Sequence, residues 1–255
     1  MASLAGMRLT VVGCSGSIPS PRSPASCYLL EAEGFRLVLD LGSGALGSLQ
    51  GYAAVHQVDA VALSHLHADH FIDMCSLWVA RNWSSEGTLP RLPVYGPAEA
   101  ARRVSGANDD PDVTGVYDFI ALAPGRRQIG PFTVTTDHVA HPVETFAYRF
   151  EYGGRALVYS GDTGPCPALT ELARSADVLL CEAGFPELPD LPPDLHLCGS
   201  QAGQHAAAAG AGRLVLTHLN PDEDPAPNLT GARGAFPGPV TLAAPGQVID
   251  LAPGG

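Results

Sequence analysis

The sequence contains no lysine. All fourteen basic residues among its 255 are arginines, against 26 acidic ones, for a formal net charge of −12. This absence excludes Schiff-base chemistry on a lysine and any lysine phosphate cradle. The acidic balance gives a nucleic acid no long-range attraction, so RNA would need a local basic patch. No run of eighteen apolar residues occurs, and no membrane-spanning helix is predicted. The opening Met1–Arg8 lacks a basic stretch followed by a long apolar one. It reads as a short extension rather than a secretory signal, with Met7 as a second candidate start. The six cysteines (Cys14, Cys27, Cys75, Cys166, Cys181, Cys198) form no Cys-x-x-Cys pair, so they read as buried reduced thiols of a cytoplasmic protein.

What is present suits one domain spanning 1–255, with 45% hydrophobic residues to fill a core. Strands are predicted at Met7–Gly13, Cys27–Glu31, Phe35–Asp40, Asp59–Ser64, Leu92–Tyr95, Phe119–Ala123, Phe132–Thr136, Thr145–Tyr152, Arg155–Ser160, Val178–Cys181 and Arg213–Thr217. Helices are predicted at Ala45–Val55, Phe71–Asn82, Pro97–Val104, Pro167–Ser175 and Gly199–Gly210. Ser105–Gly115 reads as a mobile polar loop, and Pro221–Gly255 as irregular chain with strands near Val240 and Val248. Two β-rich sets with helices between them suggest an α/β, four-layer αββα sandwich. The apolar segment Phe71–Trp83 is read as core, with an interface as the alternative.

Chemistry concentrates in His65-Leu66-His67-Ala68-Asp69-His70, directly after a predicted buried strand. Imidazole with carboxylate suits borderline divalent metals, and a loop at a strand end can fan four such side chains around them. Three further candidates follow at predicted strand ends: His141, Asp162 and His218. His56, His138 and His205 are taken as non-ligands.

These residues resemble the metallo-β-lactamase superfamily, and within it the ribonuclease Z-like branch. The resemblance runs from Gly13-Cys14-Ser15-Gly16-Ser17 to His218. It implies one metal held by His65, His67 and His141, a second held by Asp69, His70 and His218, and Asp162 bridging both. Zn²⁺ is the expected ion, with Mn²⁺ or Fe²⁺ compatible. Leu195-His196-Leu197-Cys198-Gly199 matches the branch's extra histidine. Glu182 matches the glutamate of its His-Glu-Ala-Thr motif, of which Cys181 and Gly184 depart. Asp69, His196 and Glu182 are the implied catalytic residues, and Asp40 is expected to orient metal ligands. The resemblance further implies a homodimer.

Two bridged divalent ions would acidify a water and clamp a phosphodiester. His196, held by Glu182, would protonate the departing 3′ oxygen. Ribonuclease Z action on precursor tRNA is one implication. Against it, bacterial members carry a tRNA-gripping arm between the bridging Asp and the extra His, and Asp162 and His196 lie too close for one. The acidic run Asp222-Glu223-Asp224 after His218 also opposes RNA. The armless pattern, with Ser160-Gly161-Asp162-Thr163-Gly164 and Pro192-Pro193-Asp194-Leu195-His196-Leu197, is more similar to actinobacterial cyclic-nucleotide phosphodiesterases of this fold. The expected activity is therefore hydrolysis of a small cyclic phosphodiester such as cyclic AMP. Ribonuclease Z activity is the alternative, and a non-catalytic metal-binding module of the fold a second.

Overall fold

The computed structural model describes residues 6–108 and 113–253. The first half contributes strands β1 (Met7–Gly13), β2 (Cys27–Ala32), β3 (Phe35–Leu39), β4 (Ala60–Ala62), β5 (Leu92–Gly96) and β6 (Tyr117–Ala121). The second half contributes β7 (Gly125–Ile129), β8 (Phe132–His138), β9 (Phe146–Tyr152), β10 (Arg155–Tyr159), β11 (Val178–Glu182), β12 (Leu214–Thr217), β13 (Val240–Leu242) and β14 (Val248–Leu251). The helices are α1 (Ala45–Leu49), α2 (Ala68–Phe71), α3 (Met74–Asn82), α4 (Ala100–Asn108), α5 (Pro167–Leu172), α6 (Gly199–Ala209) and α7 (Ala226–Ala235). None is long and apolar enough to cross a membrane.

Two seven-stranded sheets form, in the orders β14-β1-β2-β3-β4-β5-β6 and β13-β12-β11-β10-β9-β8-β7. Each is antiparallel along one side and parallel along the other. In the first sheet β3 to β6 run parallel, and in the second β10 to β13 do. Parallel strands need helical crossovers, which cover the outer faces. One apolar layer lies between the sheets and includes Leu9, Tyr28, Leu37, Phe132, Phe150, Leu157 and Val215. A second packs the outer face of the first sheet against Leu46, Leu49, Phe71, Met74, Leu77 and Val104. A third packs the other outer face against Leu169, Leu172, Ala202, Ala206 and Ala232. This is the expected αββα sandwich.

Several expected elements differ locally. The helix over Ala45–Val55 stops at Leu49, where the chain tightens into turns through Gly51 N→Ser48 O and Tyr52 N→Leu49 O. Phe71–Asn82 is interrupted at Ile72-Asp73. There Asp73 N donates to Leu41 O, and the Asp73 carboxylate accepts from Leu46 N at 2.9 Å, so tertiary bonds replace helical ones. Its Val79 and Trp83 are exposed while Met74 and Leu77 are buried, so only one face is core. Pro97 forms a turn ahead of α4 rather than its first helical residue. Ser105–Asn108, expected in a mobile loop, continue α4; residues 109–112 lie outside the described residues. Strand β7 was not expected, because Gly125-Arg126-Arg127-Gln128 is polar and sits on a solvent-facing edge. Nor was α7, within a segment read as irregular.

Candidate metal centre

The parallel strands all deliver their carboxyl ends to one rim, where loops of an open α/β sheet converge on a ligand. Strand β3 leads into Asp40. Strand β4 leads into Ser64 and His65, and the turn at His67 starts α2, which carries Asp69 and His70. Strand β10 leads to Asp162, β11 ends at Glu182, and β12 leads to His218. The loop between β8 and β9 supplies His141. Asp40 and His218 sit at φ 54° and 55°, in the left-handed region that side-chain-bearing residues seldom adopt. Both end a parallel strand by turning abruptly toward the site, and such strain is held only where the surroundings enforce it. Gly42 makes a close approach possible, since a β-carbon there would collide with the Asp69 carbonyl.

Every sequence-predicted ligand reaches this rim. His65, His67 and His141 form one group with potential ligand atoms within 4.8 Å of each other, and Asp69, His70, Asp162 and His218 form a second. Asp162 Oδ1 lies 3.3 Å from His70 Nε2, and its Oδ2 lies 3.3 Å from His218 Nε2 and 3.7 Å from His65 Nε2. The two groups thus meet at Asp162. Asp69 Oδ2 is 3.4 Å from His70 Nε2 and 3.7 Å from His218 Nε2. A third group joins Asp162, Glu182 and His196. His196 Nδ1 donates to Glu182 Oε1 at 3.0 Å and lies 3.8 Å from Asp162 Oδ2. Glu182 also accepts from Thr163 N and Gly184 N, both at 2.8 Å.

The far nitrogen of each buried imidazole is fixed from behind. Asp40 is fully buried and accepts from Ser64 N (2.6 Å), Ser64 Oγ (2.7 Å), Tyr159 Oη (2.6 Å) and His70 Nδ1 (2.7 Å). Because the Ser64 hydroxyl proton goes to Asp40, Ser64 Oγ accepts from His65 Nδ1, 3.0 Å away. His141 Nδ1 donates to Leu195 O at 2.9 Å, and His218 Nδ1 lies 3.0 Å from Ser26 Oγ. On a neutral ring, pinning one nitrogen in this way leaves the other with its lone pair turned into the site.

Those lone pairs supply a test of fit for a metal. His65 Nε2 and His141 Nε2 each stand 3.1 Å from His67 Nδ1, so three imidazole nitrogens converge where a single proton on His67 could bond only one of the others. His70 Nε2 and His218 Nε2 are buried without any hydrogen bond. Buried polar atoms are normally partnered, and orphans of this kind call for an ion. The imidazole and carboxylate donor set suits a borderline divalent cation.

Electrostatics agree. Burial pushes His65 well below its ordinary pKa and His218 down to about 4, and it lowers His67 and His141 as well, which favours the neutral rings that a metal ion requires. His70 differs. Burial disfavours its charge, but Asp162 and Asp40 flank it and raise it well above the usual value, so the carboxylates draw positive charge to this point. Burial opposes the charge on Asp162 too, but His218, His70 and His65 together hold it well below the carboxylate range. His196 is lowered by burial, yet Glu182 and Asp162 lift it to about 9.

A model of the beta-lactamase superfamily domain matches residues 38–219, which contain every residue of these three groups. The chain belongs to the β-lactamase superfamily. Among its relatives in the superfamily, an uncharacterised protein of Mycobacterium leprae is 42% identical over 96% of this chain and 89% of its own length. A probable metallo-hydrolase of Bacillus subtilis, YhfI, is 34% identical over 95% of this chain and 99% of its own. The crystal structure of YhfI superposes with a TM-score of 0.88 at 32% identity, covering 96% of this chain and all of that one. A ribonuclease Z of Mycolicibacterium gilvum is 31% identical over 86% of each chain. The chain is a metal-dependent hydrolase of the metallo-β-lactamase fold, with His/Asp clusters able to bind metal ions.

His56, His138 and His205 lie outside the three groups. His138 packs on Phe146 with ring centres 4.5 Å apart, and His205 bonds Thr170 Oγ1 at 2.7 Å. Sequence reading missed Ser26, Ser64, Tyr159 and the Leu195 carbonyl. Only Ser64, adjacent to the motif, carried a local signal.

Proposed function

We propose that the protein is a phosphodiesterase that hydrolyses 3′,5′-cyclic nucleotides, cyclic AMP among them, to 5′-monophosphates. Two divalent ions, zinc by donor chemistry, would be held by His65, His67 and His141 and by Asp69, His70 and His218, with Asp162 shared. When bound, such a pair acidifies a water and neutralises charge on the phosphoryl oxygens. The chain's own groups complete the reaction. Asp162 orients the attacking water. Asp69, the more exposed carboxylate at 12% against 3% for Asp162, receives the proton that the water loses. Oxygen bonds to phosphorus as the bond from phosphorus to the 3′ oxygen breaks. His196, whose Nδ1 is committed to Glu182, gives its proton from Nε2 to that oxygen. Its raised pKa supports this assignment, since it holds the proton at neutral pH.

One observation carries the choice of a small substrate. Residues 163–195, between Asp162 and His196, are accounted for by α5, β11 and their connecting loops, which leaves no arm to grip a tRNA. The net charge of −12 favours the same reading. The ribonuclease Z reading keeps a specific support of its own, the relatives that bear that name at 29–31% identity.

Metal-loaded protein incubated separately with cyclic AMP and with precursor tRNA decides between them, with Asp162→Ala as control. Release of 5′-AMP, lost in the variant, is the expected result. Cleavage of the tRNA alone would replace this reading with the second.

A further inference from the structure

A cleft of about 450 Å³ opens beside the metal centre, lined by Leu66, His67, Pro97, Glu99, Arg102, Arg103, Val143 and Glu144. Its shared wall with the centre is the half-buried ring of His67, whose Nδ1 faces His65 and His141. A ligand with its phosphate at the metals can therefore extend past His67 into this space. The site assigned above gives the cleft no task.

Its two arginines are held differently. Arg102 is ion-paired to Glu99, in the turn just ahead of α4. Arg103 has no such partner among the described residues. Its guanidinium lies over the Phe71 ring, 5.8 Å from the ring centre, and one nitrogen donates to Leu66 O at 3.4 Å. An aromatic face on one side and a carbonyl at one edge hold the guanidinium, and among the described residues no other hydrogen bond or ion pair engages it. A planar delocalised cation presented in this way stacks on a planar ring. The other walls fit the same ligand. Leu66, Pro97 and Val143 are apolar. Glu144 accepts from Ala98 N at 3.2 Å through Oε2, and its Oε1 makes no hydrogen bond among the described residues. The free oxygen of Glu144 accepts from an amino group, and with Glu99 paired to Arg102 the four charged lining residues sum to zero, so the cleft suits an uncharged ring system.

We propose that this cleft is the nucleoside subsite, with Arg103 stacking on the purine base and Glu144 accepting from its exocyclic amine. The proposal rests on the phosphodiesterase reading and gives it its specificity. Arg103 makes the base, as well as the phosphate, a source of affinity.

Calorimetric binding of 5′-AMP and of ribose 5-phosphate to the metal-loaded full chain tests it without relying on turnover. In the wild type, AMP binds about tenfold more tightly than ribose 5-phosphate, the scale of one stacked base. Arg103→Ala removes that gap, and ribose 5-phosphate binds as before. Arg103→Lys, which keeps the charge but not the plane, removes most of it. Equal binding of the two ligands to the wild type overturns the subsite, as does a gap that survives in Arg103→Ala. A base-dependent gap lost in Arg103→Ala, in a protein that does not hydrolyse cyclic AMP, upholds the subsite and sinks the proposed reaction instead.

Discussion

At the residue scale, the site depends on groups that touch no substrate. Asp40 accepts four hydrogen bonds while fully buried, and through Ser64 and directly it sets the orientation of two imidazoles, His65 and His70, that both face Asp162. Removing its carboxylate strands several buried donors at once, each costing about 1–3 kcal/mol. Asp40→Ala should therefore lower metal affinity by about 10–100-fold, measured by competition with a chromophoric chelator. Urea unfolding of the metal-free variant should register a loss of about 3 kcal/mol or more. Unchanged metal affinity would mean that Asp40 is only a structural turn residue. The clustering of the candidate ligands was legible because the chain supplies them in order next to strand ends, four of them within one short motif. Their supports were not, because Ser26 meets His218, and Tyr159 meets Asp40, only after distant segments fold together. Nothing local to Ser26 or Tyr159 records that meeting.

At the element scale, the parallel strands were the easiest to read, because buried strands are continuous apolar runs such as Val178–Cys181. Helix α7 was the hardest. Pro225, Pro227, Gly231 and Gly234 lower intrinsic helix propensity, and the segment reads as loop. Tertiary contacts override that preference. Gly203 of α6 lets Ala232 pack closely, with a β-carbon there placed 2.7 Å from the Ala232 carbonyl oxygen. Asn228 is the other anchor. Its Oδ1 accepts from Gly199 N at 3.1 Å, and its Nδ2 donates to Ala183 O at 3.1 Å and Phe185 O at 3.0 Å. It thus clamps both ends of the segment that carries His196, and Phe185 packs edge-on against the His196 ring, 5.2 Å between centres. Asn228→Ala should displace His196 rather than the metal ligands. Steady-state kinetics on cyclic AMP should show kcat lowered about tenfold or more with KM little changed. Asn228→Asp keeps one acceptor but sets a carboxylate against two carbonyls, and should not restore the rate. A rise in KM alone would place the effect in substrate binding and refute the positioning role.

At the scale of the whole molecule, the two sheets repeat one plan, three antiparallel pairings followed by three parallel ones, and β14 returns from the end of the chain to complete the first. That symmetry brings both sets of parallel strand ends to one rim, which is why residues as far apart in sequence as Asp40 and His218 share a site. The molecule around that rim carries a net charge of −12, and either proposed substrate is an anion. Screening shortens the reach of surface charge to about 10 Å at 0.1 M ionic strength and about 8 Å at 0.15 M. The sign of the salt effect therefore separates the two functional readings. For a cyclic nucleotide held by metals and one cleft, added salt weakens long-range repulsion more than local attraction. KM should then stay level or fall as NaCl rises from about 50 to 200 mM. An enzyme gripping tRNA through six to ten phosphate contacts would lose affinity by about 10³–10⁵ over the same range. The measurement is KM against salt for each substrate at constant metal. A steep rise for cyclic AMP would show that surface arginines outside the cleft, rather than the buried centre and its cleft, supply most of the binding, and would move the search for the substrate to longer polyanions.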